Sequence, residues 1–212
     1  MKICCITSVE EARCAVEAGA DVLGLVARMP SGPIDDALIA EIAAAAPDGI
    51  DTFLLTSATG PDAVADHVRR CGTTTVQLVD VVPIATYREL RKSCPSVAIV
   101  QVLHVTGPAT VDAAHAVAPY VDTLLLDSGN PTAAIKELGG TGRVHDWTIS
   151  RRIVEAAAVP VFLARGLNAG NVGAAIRAVR PHGVDLCSGV RAGGELDPDK
   201  LAAYIGAVRE AA

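Results

Sequence analysis

The amino-acid sequence predicts a (β/α)8 barrel, and three observations lead to that fold class. Eight short runs of apolar and β-branched residues recur along the chain, about 26 residues apart on average. An alanine-rich stretch of helical character follows each run. The runs are nearly continuous in apolar residues, as in Val97-Ala98-Ile99-Val100, which is typical of parallel strands buried on both faces. A strand, a tight loop and a three-turn helix together occupy about this length of chain.

The elements can be placed in chain order. The first helix is expected to begin near Ser8, an N-cap residue type, and to end at Gly19, which suits a C-cap. Asn168 and Asp197 are similar candidate N-caps, and Asp146-Trp147 begins helix 6. Three prolines fit the first turns of helices 3, 4 and 5: Pro61, Pro83 and Pro108. The predicted strands are residues 2–6, 21–26, 51–55, 74–78, 97–103, 121–126, 160–163 and 183–187.

An open, doubly wound sheet is the competing arrangement. That fold often carries Gly-x-Gly-x-x-Gly after its first strand, whereas strand 1 here leads into Cys5-Ile6-Thr7-Ser8, without a glycine. The count and spacing of the runs favour the barrel. Because the chain shows no linker and no low-complexity segment, residues 1–212 are expected to form a single domain.

Composition argues against several classes of function. The chain has 18 Lys and Arg against 24 Asp and Glu, a net charge of −6, and aromatic residues make up only 3% of it. Nucleic-acid binding needs a basic face and stacking platforms, so no nucleic-acid partner is expected. The chain contains no run of 18 uncharged apolar residues, so no membrane span is expected, and the N-terminus is unlike a signal peptide. The six cysteines lack zinc-site spacing, which predicts reduced thiols in a cytoplasmic protein.

In such barrels the active site lies at the carboxyl ends of the strands. The loops after strands 6 to 8 are rich in glycine and small hydroxyl residues, which suits a phosphate site, although glycines also simply make tight turns. Four arginines fall in the mouth loops of this acidic protein, which favours an anionic substrate over ordinary surface charge: Arg28, Arg143, Arg165 and Arg191.

Individual side chains at these strand ends could carry acid–base chemistry. Asp127 ends the run Leu124-Leu125-Leu126-Asp127 and is either a general acid or base or a capping residue. Cys4 and Cys5 sit at the end of strand 1, where a lone cysteine is more often a core residue than a catalyst. His104, at the end of strand 5, is a further candidate, though a structural histidine is the commoner interpretation.

An ordered set of short motifs runs along the whole chain, beginning with Lys2-Ile3-Cys4-Cys5-Ile6-Thr7. The other segments are Glu17-Ala18-Gly19-Ala20-Asp21 with Gly24, Val76-Gln77-Leu78, Leu124 to Asp127, Gly139 to Gly142 with Asp146-Trp147, Gly166-Leu167-Asn168 with Asn171-Val172, Val184-Asp185, and Ser188-Gly189-Val190. Each motif alone is weak, but the set in register is specific. It resembles phosphoribosylanthranilate isomerase, a family that opens with Lys-Ile-Cys-Gly-Ile-Thr.

The resemblance implies a cofactor-free Amadori rearrangement of a small anionic phosphosugar, N-(5-phosphoribosyl)anthranilate, in tryptophan biosynthesis. It implies that Cys4 is the general base and Asp127 the general acid. The protein is expected to be a monomer or a homodimer. The phosphate side would be Gly140, Gly142, Gly166, Ser188 and Gly189.

Departures from the family motifs cluster on the side of the aglycone. The family's Ser-Pro-Arg, whose arginine holds the anthranilate carboxylate, reads Ser31-Gly32-Pro33 here, and the histidine of its Gln-Leu-His-Gly has become Val79. Arg28 and Arg165 are candidate substitutes for the missing arginine. Arg165 stands where the family has a glycine, Arg191 where a glutamate is usual, and Cys5 replaces the glycine beside the base.

These departures leave alternatives open. The same chemistry could act on another N-phosphoribosyl amine in a specialised pathway, for which the Pro33 and Val79 departures speak. A non-catalytic phosphosugar-binding barrel is a second alternative, against which the retention of both Cys4 and Asp127 speaks. A Schiff-base aldolase is disfavoured, because no lysine beyond Lys2 sits at a predicted strand end.

Overall fold

A computed structural model describes residues 1–27, 34–127 and 146–211. The candidate residues Arg28, Pro33, Gly140 and Gly142 therefore lie outside the described residues. Within the described part of the chain, no helix has the length and apolar character needed to cross a membrane.

Eight parallel strands form a closed barrel in chain order, which confirms the predicted fold class. Neighbouring strands pair in parallel register, for example Cys4 of β1 beside Gly24 of β2, and Gly24 beside Phe53 of β3. The strands are β1 Lys2–Cys4, β2 Val22–Val26, β3 Asp51–Thr56, β4 Thr75–Leu78, β5 Ala98–His104, β6 Thr123–Asp127, β7 Val161–Ala164 and β8 Gly183–Leu186.

A helix follows each of the eight strands. The helices are α1 Val9–Ala18, α2 Asp36–Ala45, α3 Pro61–Cys71, α4 Ile84–Ser93, α5 Ala109–Val117, α6 Trp147–Ala156, α7 Val172–Val179 and α8 Pro198–Arg209. Single 3-10 turns span Ala118–Tyr120 and Ser188–Val190. A small antiparallel hairpin after β8, which the sequence analysis did not predict, joins β9 Arg191–Ala192 to β10 Glu195–Leu196.

Most predicted helix caps are confirmed. The Ser8 hydroxyl accepts from the backbone N–H of Glu11, and Gly19 closes α1 with a left-handed φ of 113°. Asp197 accepts from two N–H groups at the start of α8. The prediction for Asn168 is wrong, because α7 begins three residues later and Asn171 holds its N-cap position.

The three prolines predicted in first turns of helices do not all occupy that position. Pro61 is the first residue of α3, as predicted, since a proline has no N–H to lose in a first turn. Pro83 and Pro108 instead occupy the N-cap positions of α4 and α5, one residue before the predicted first turn. Asp146 caps α6 and Trp147 begins it, as predicted.

The chain divides into two compact units. The first comprises Met1–Val102 with Tyr120–Asp122, and the second comprises Leu103–Pro119 with Thr123–Ala212. The core of the first unit includes fully buried Leu23, Leu25 and Leu54 from its strands. The core of the second includes Leu124, Leu126 and Leu163. That residues 1–212 act as one domain stays a prediction.

Gly24 makes room for the side chain at the end of β1. A Cβ added at Gly24 would lie 2.7 Å from Cys4 Sγ and 2.9 Å from Cys4 Cα. The second distance is to backbone, which cannot turn away as a side chain can. Only glycine fits here, so the place of Cys4 depends on the residue paired with it across the sheet.

A partly buried polar network ties α2 and α3 to the end of β3 in the first unit. His67 Nε2 lies 3.0 Å from Asp36 Oδ1, and His67 Nδ1 lies 2.9 Å from the Thr56 hydroxyl. Arg70 Nε donates to the second Asp36 oxygen at 2.9 Å. Burial acts to raise the pKa of Asp36, but the bond from Arg70 and the charge and bond of His67 outweigh it, so the pKa lies below 3.8.

Replacing Gly24 by alanine is predicted to destabilise the protein and to displace Cys4. We expect Gly24→Ala to lower the free energy of unfolding by about 1–3 kcal/mol, because the new methyl group collides with backbone. Urea unfolding followed by circular dichroism measures this change.

Gly206 supplies the matched control for the same chemical change. It lies within α8, and a Cβ there would meet nothing within 4 Å. Gly206→Ala should therefore stabilise the protein by about 0.5–1 kcal/mol through helix propensity. A Gly24→Ala variant as stable as wild type would show that the close approach to Cys4 is not a constraint.

Asp36→Asn is predicted to lower stability at neutral pH, with a difference that shrinks in acid. The folded-state pKa of Asp36 is lowered, so the stabilisation is fully present above the unfolded value near 3.8. It is lost as the pH falls through the folded pKa, below 3.8. Urea unfolding at pH 7, 5 and 3 should give the same wild-type advantage at the first two values and a smaller one at the third.

The exposed Asp48 provides the comparison for that series. Asp48→Asn should leave the free energy of unfolding nearly unchanged at all three pH values. A gap between wild type and Asp36→Asn that is equally large at pH 7 and pH 3 would contradict the account.

Candidate active site

The structure places the predicted catalytic residues at the carboxyl ends of their strands. Cys4 is the last residue of β1 and is 6% exposed. Asp127 is the last residue of β6, and its side chain is 21% exposed. Gly166 follows β7, and Ser188 and Gly189 follow β8. These are the strand ends that carry active sites in barrels of this class.

Two non-glycine residues in these loops have a left-handed backbone. Cys5 has a φ of 65°, and Arg165 has a φ of 66°. Among the described residues, the one other non-glycine with positive φ is Arg180, which caps the end of α7. A left-handed conformation costs an L-residue on the order of 1–2 kcal/mol. Both mouth residues stand where the family motifs have glycine, so the backbone geometry is kept although the residue has changed.

The cysteines differ from the sequence-based expectation of six reduced thiols. Cys4, Cys14, Cys71 and Cys94 are not disulfide-bonded and keep their thiols. Cys5 and Cys187 are disulfide-bonded, so the expectation is wrong for these two residues. Cys4 keeps the thiol that a role in proton transfer requires.

The Asp127 carboxylate lies between two nitrogen-bearing side chains of the second unit. Arg165 Nη1 donates to Asp127 Oδ1 at 3.4 Å, and the Arg165 side chain is only 5% exposed. His104 Nδ1, from the end of β5, lies 3.9 Å from Asp127 Oδ2. The backbone N–H of Val105 donates to the Asp127 carbonyl at 2.8 Å, which fixes the end of β6 against the end of β5.

Sequence reasoning missed the contact between Arg165 and Asp127, having placed Arg165 on the aglycone side. The signal was available in the register: β6 pairs with β7, Asp127 ends β6, and Arg165 comes directly after β7. What the sequence could not supply is the direction of a long side chain on a left-handed backbone.

The loops after β7 and β8 lie against each other. A Cβ at Gly189 would approach the Leu167 carbonyl oxygen to 2.8 Å, so the two loops pack backbone to backbone at this point. The Asn171 side chain donates to the Gly166 carbonyl at 2.7 Å and holds the β7 loop at the start of α7. Close backbone approach and a helix N-terminus are the components from which phosphate sites are built.

One group of described residues has the donor atoms of a metal site, outside the strand ends considered above. The ligand atoms of Asp36, His67 and Cys71 lie within 4.8 Å of one another. However, the Arg70 guanidinium is bound to Asp36, where it opposes a cation. Burial, with the charge of Asp36, raises the pKa of the Cys71 thiol to about 12, whereas metal ligation needs the thiolate. We therefore describe this group as a structural network.

Comparisons with known proteins agree over the full length of the chain. The model of a family described as N-(5'phosphoribosyl)anthranilate (PRA) isomerase matches residues 1–207. N-(5'-phosphoribosyl)anthranilate isomerase 2 of Methanosarcina mazei is 38% identical over 197 residues, which cover 90% of this chain and 85% of that protein.

Two solved structures extend the agreement to three dimensions. Phosphoribosyl anthranilate isomerase from Thermotoga maritima superimposes with a TM-score of 0.84 at 28% identity, covering 99% of this chain and 98% of that one. A phosphoribosyl anthranilate isomerase in complex with reduced 1-(o-carboxyphenylamino)-1-deoxyribulose 5-phosphate has a TM-score of 0.80 at 26% identity, covering 99% and 97%.

Proposed function

The chain belongs to the N-(5'-phosphoribosyl)anthranilate isomerase family, as its motifs predicted, and from that membership we propose how its residues divide the reaction. The protein is an isomerase that converts N-(5'-phosphoribosyl)anthranilate to 1-(2-carboxyphenylamino)-1-deoxyribulose 5-phosphate in tryptophan biosynthesis. The family match over residues 1–207 is the observation that carries this conclusion.

The proposed acid is Asp127. The first step opens the furanose ring, and it requires a proton on the ring oxygen as the bond from that oxygen to carbon 1 breaks. The nitrogen lone pair then forms a double bond to carbon 1, which gives a protonated Schiff base. Asp127 supports the role by its place at the end of β6 and by a carboxylate that is partly exposed, within reach of a substrate.

The proposed base is Cys4. The second step removes the proton from carbon 2, and the electron pair neutralises the Schiff base to give an enolamine, which tautomerises to the ketone. A thiolate can accept that proton, and Cys4, at the end of β1, is not disulfide-bonded. Its sulfur lies close to the space that a side chain on the neighbouring Gly24 would occupy.

The proposed phosphate side consists of Gly166, Ser188 and Gly189, with Gly140 and Gly142 from outside the described residues. The packing of Gly189 against the β7 loop supports it, since glycine lets backbone N–H groups approach an anion closely. An acidic protein of net charge −6 needs such a local concentration of donors to hold a phosphosugar.

The proposed aglycone side keeps two candidates, Arg28 and Arg165, for the anthranilate carboxylate. The Arg165 guanidinium contacts Asp127 in this structure, which makes Arg28 the stronger candidate for that role. We propose a small anionic phosphosugar as the partner of the site. A monomeric or homodimeric state and a cytoplasmic location stay predictions of the sequence.

Substitution of either proposed catalytic residue is predicted to remove most of the activity. We expect Cys4→Ser and Asp127→Asn each to lower kcat by about 100-fold to 10,000-fold, the range that general acid–base catalysis contributes. The loss of fluorescence of N-(5'-phosphoribosyl)anthranilate during steady-state turnover measures this.

Cys14→Ser is the matched control, because Cys14 is also not disulfide-bonded but lies on α1. It should keep the wild-type kcat. Full activity of Cys4→Ser or of Asp127→Asn would refute the corresponding role, and no turnover by the folded wild-type protein would refute the substrate assignment.

A further inference from the structure

His104 presents a buried nitrogen to the carboxylate of the proposed acid. Its Nδ1 lies 3.9 Å from Asp127 Oδ2, is buried, and has no hydrogen-bond partner among the described residues. The side chain as a whole is 21% exposed, so other atoms of the ring reach solvent. A histidine kept only for structure normally satisfies its buried nitrogen, which this one does not do within the part of the chain that the structure describes.

The chemistry of the first step explains what such a histidine could supply. An aspartic acid in water is protonated in only about one molecule in a thousand at pH 7, whereas histidine exchanges protons near that pH. Resting on the proposed function, in which Asp127 is the acid, we propose that His104 is its proton source: it passes a proton through Nδ1 to Asp127 Oδ2 for delivery to the ring oxygen.

The 3.9 Å between His104 Nδ1 and Asp127 Oδ2 fits a proton relay whose hydrogen bond forms when substrate binds. A shortening of about 1 Å would bring His104 Nδ1 and Asp127 Oδ2 to hydrogen-bond length, and a single water could also bridge them. Catalytic hydrogen bonds are commonly longer in substrate-free enzymes than in their complexes.

Arg165 is the positioning residue in this arrangement. Its Nη1 holds Oδ1, so the second oxygen of the carboxylate is the one turned towards His104. The left-handed backbone at Arg165, where the family has glycine, brings a guanidinium to this place at a conformational cost. Residues in such rare conformations concentrate at functional sites, which agrees with a role for this side chain.

The protons balance over the cycle. His104, protonated from solvent, gives one proton to Asp127, and Asp127 gives one to the ring oxygen, which becomes a hydroxyl group. Cys4 takes one proton from carbon 2 and later releases it to solvent. In the final tautomerisation the hydroxyl group on carbon 2 loses its proton as it becomes the ketone, and carbon 1 gains one, so the isomer has the same number of protons as the substrate. Among the described residues of its unit, the Asp127 carboxylate on β6 lies nearest the His104 ring nitrogen, with Arg165 after β7 beyond it, and the Thr110 hydroxyl of α5 donates to the His104 backbone carbonyl.

The pH dependence of kcat/KM tests the proposal. His104→Gln should lower kcat/KM by about 10-fold to 100-fold at pH 6, within the range of acid–base effects. The ratio of wild type to variant should then shrink as the pH rises, because a neutral imidazole is too weak an acid to protonate a carboxylate. A ratio that stays constant from pH 5.5 to 9, or a variant within twofold of wild type at pH 6, would overturn the proposal.

Controls separate this proposal from folding and from the proposed function. His115→Gln, on the exposed face of α5, should show the wild-type profile. A His104 variant is shown to be folded if its affinity for reduced 1-(o-carboxyphenylamino)-1-deoxyribulose 5-phosphate stays within twofold of wild type. His104→Asn is the second variant if His104→Gln does not fold. If Asp127→Asn is inactive and His104→Gln is not impaired, the relay alone fails; if Asp127→Asn is active, the proposed function fails first.

The positioning role of Arg165 is tested by whether a second positively charged residue restores kcat. Arg165→Met should lower kcat with little change in KM, and Arg165→Lys, which keeps a positive charge near Oδ1, should restore part of the loss. Equal activity of the methionine and lysine variants would contradict a positioning role for the charge.

Discussion

The strands bury their side chains along almost their whole length, and this constraint decides where the protein can carry chemistry. Every residue of β1, β4 and β7 is buried, so the middle of each strand is committed to packing. Reactive side chains are thereby confined to the last position of a strand or the loop after it, where Asp127 and His104 stand. Even there, the fit is tight: Cys4 has its place only because its neighbour across the sheet is Gly24, which has no side chain.

The close packing at the strand ends also bears on the backbone conformation of the loops that follow them. Cys5 and Arg165 both adopt left-handed φ angles that glycine adopts without strain. At Arg165 the consequence is visible within the second unit, since the guanidinium reaches the carboxylate that ends β6. The chain has kept the turn that the family's glycines provide and has added a charged side chain to it. A residue that replaces a glycine of the family motif thus contacts the proposed acid.

Periodicity and composition predicted the fold class, and the eight strands lie where the apolar runs are, because burial on both faces leaves a nearly continuous apolar signature. The boundaries depend on details that patterns do not carry. Residue 5 ends β1 early because its backbone turns left-handed, and Cys187 precedes a 3-10 turn that removes it from β8. Asn168 and Asn171 are both good capping residue types, and in the structure Asn168 accepts from the Gly170 N–H in the loop while Asn171 holds the N-cap position. Residue types at strand ends pointed to Cys4 and Asp127. The contact of Arg165 with Asp127 and the orientation of His104 depend on the direction of side chains, which the sequence does not encode locally.

The central claim is that the carboxyl ends of these strands hold an acid and a base for sugar isomerisation. The most direct test is a crystal structure of the protein with reduced 1-(o-carboxyphenylamino)-1-deoxyribulose 5-phosphate bound. The account predicts the phosphate against the backbone of Gly166 and Gly189, and the Asp127 carboxylate within hydrogen-bond distance of the carbon-4 hydroxyl, which derives from the ring oxygen. It also predicts Cys4 Sγ as the nearest side-chain atom to carbon 2. A ligand bound with Asp127 and Cys4 both out of contact with the sugar would contradict it.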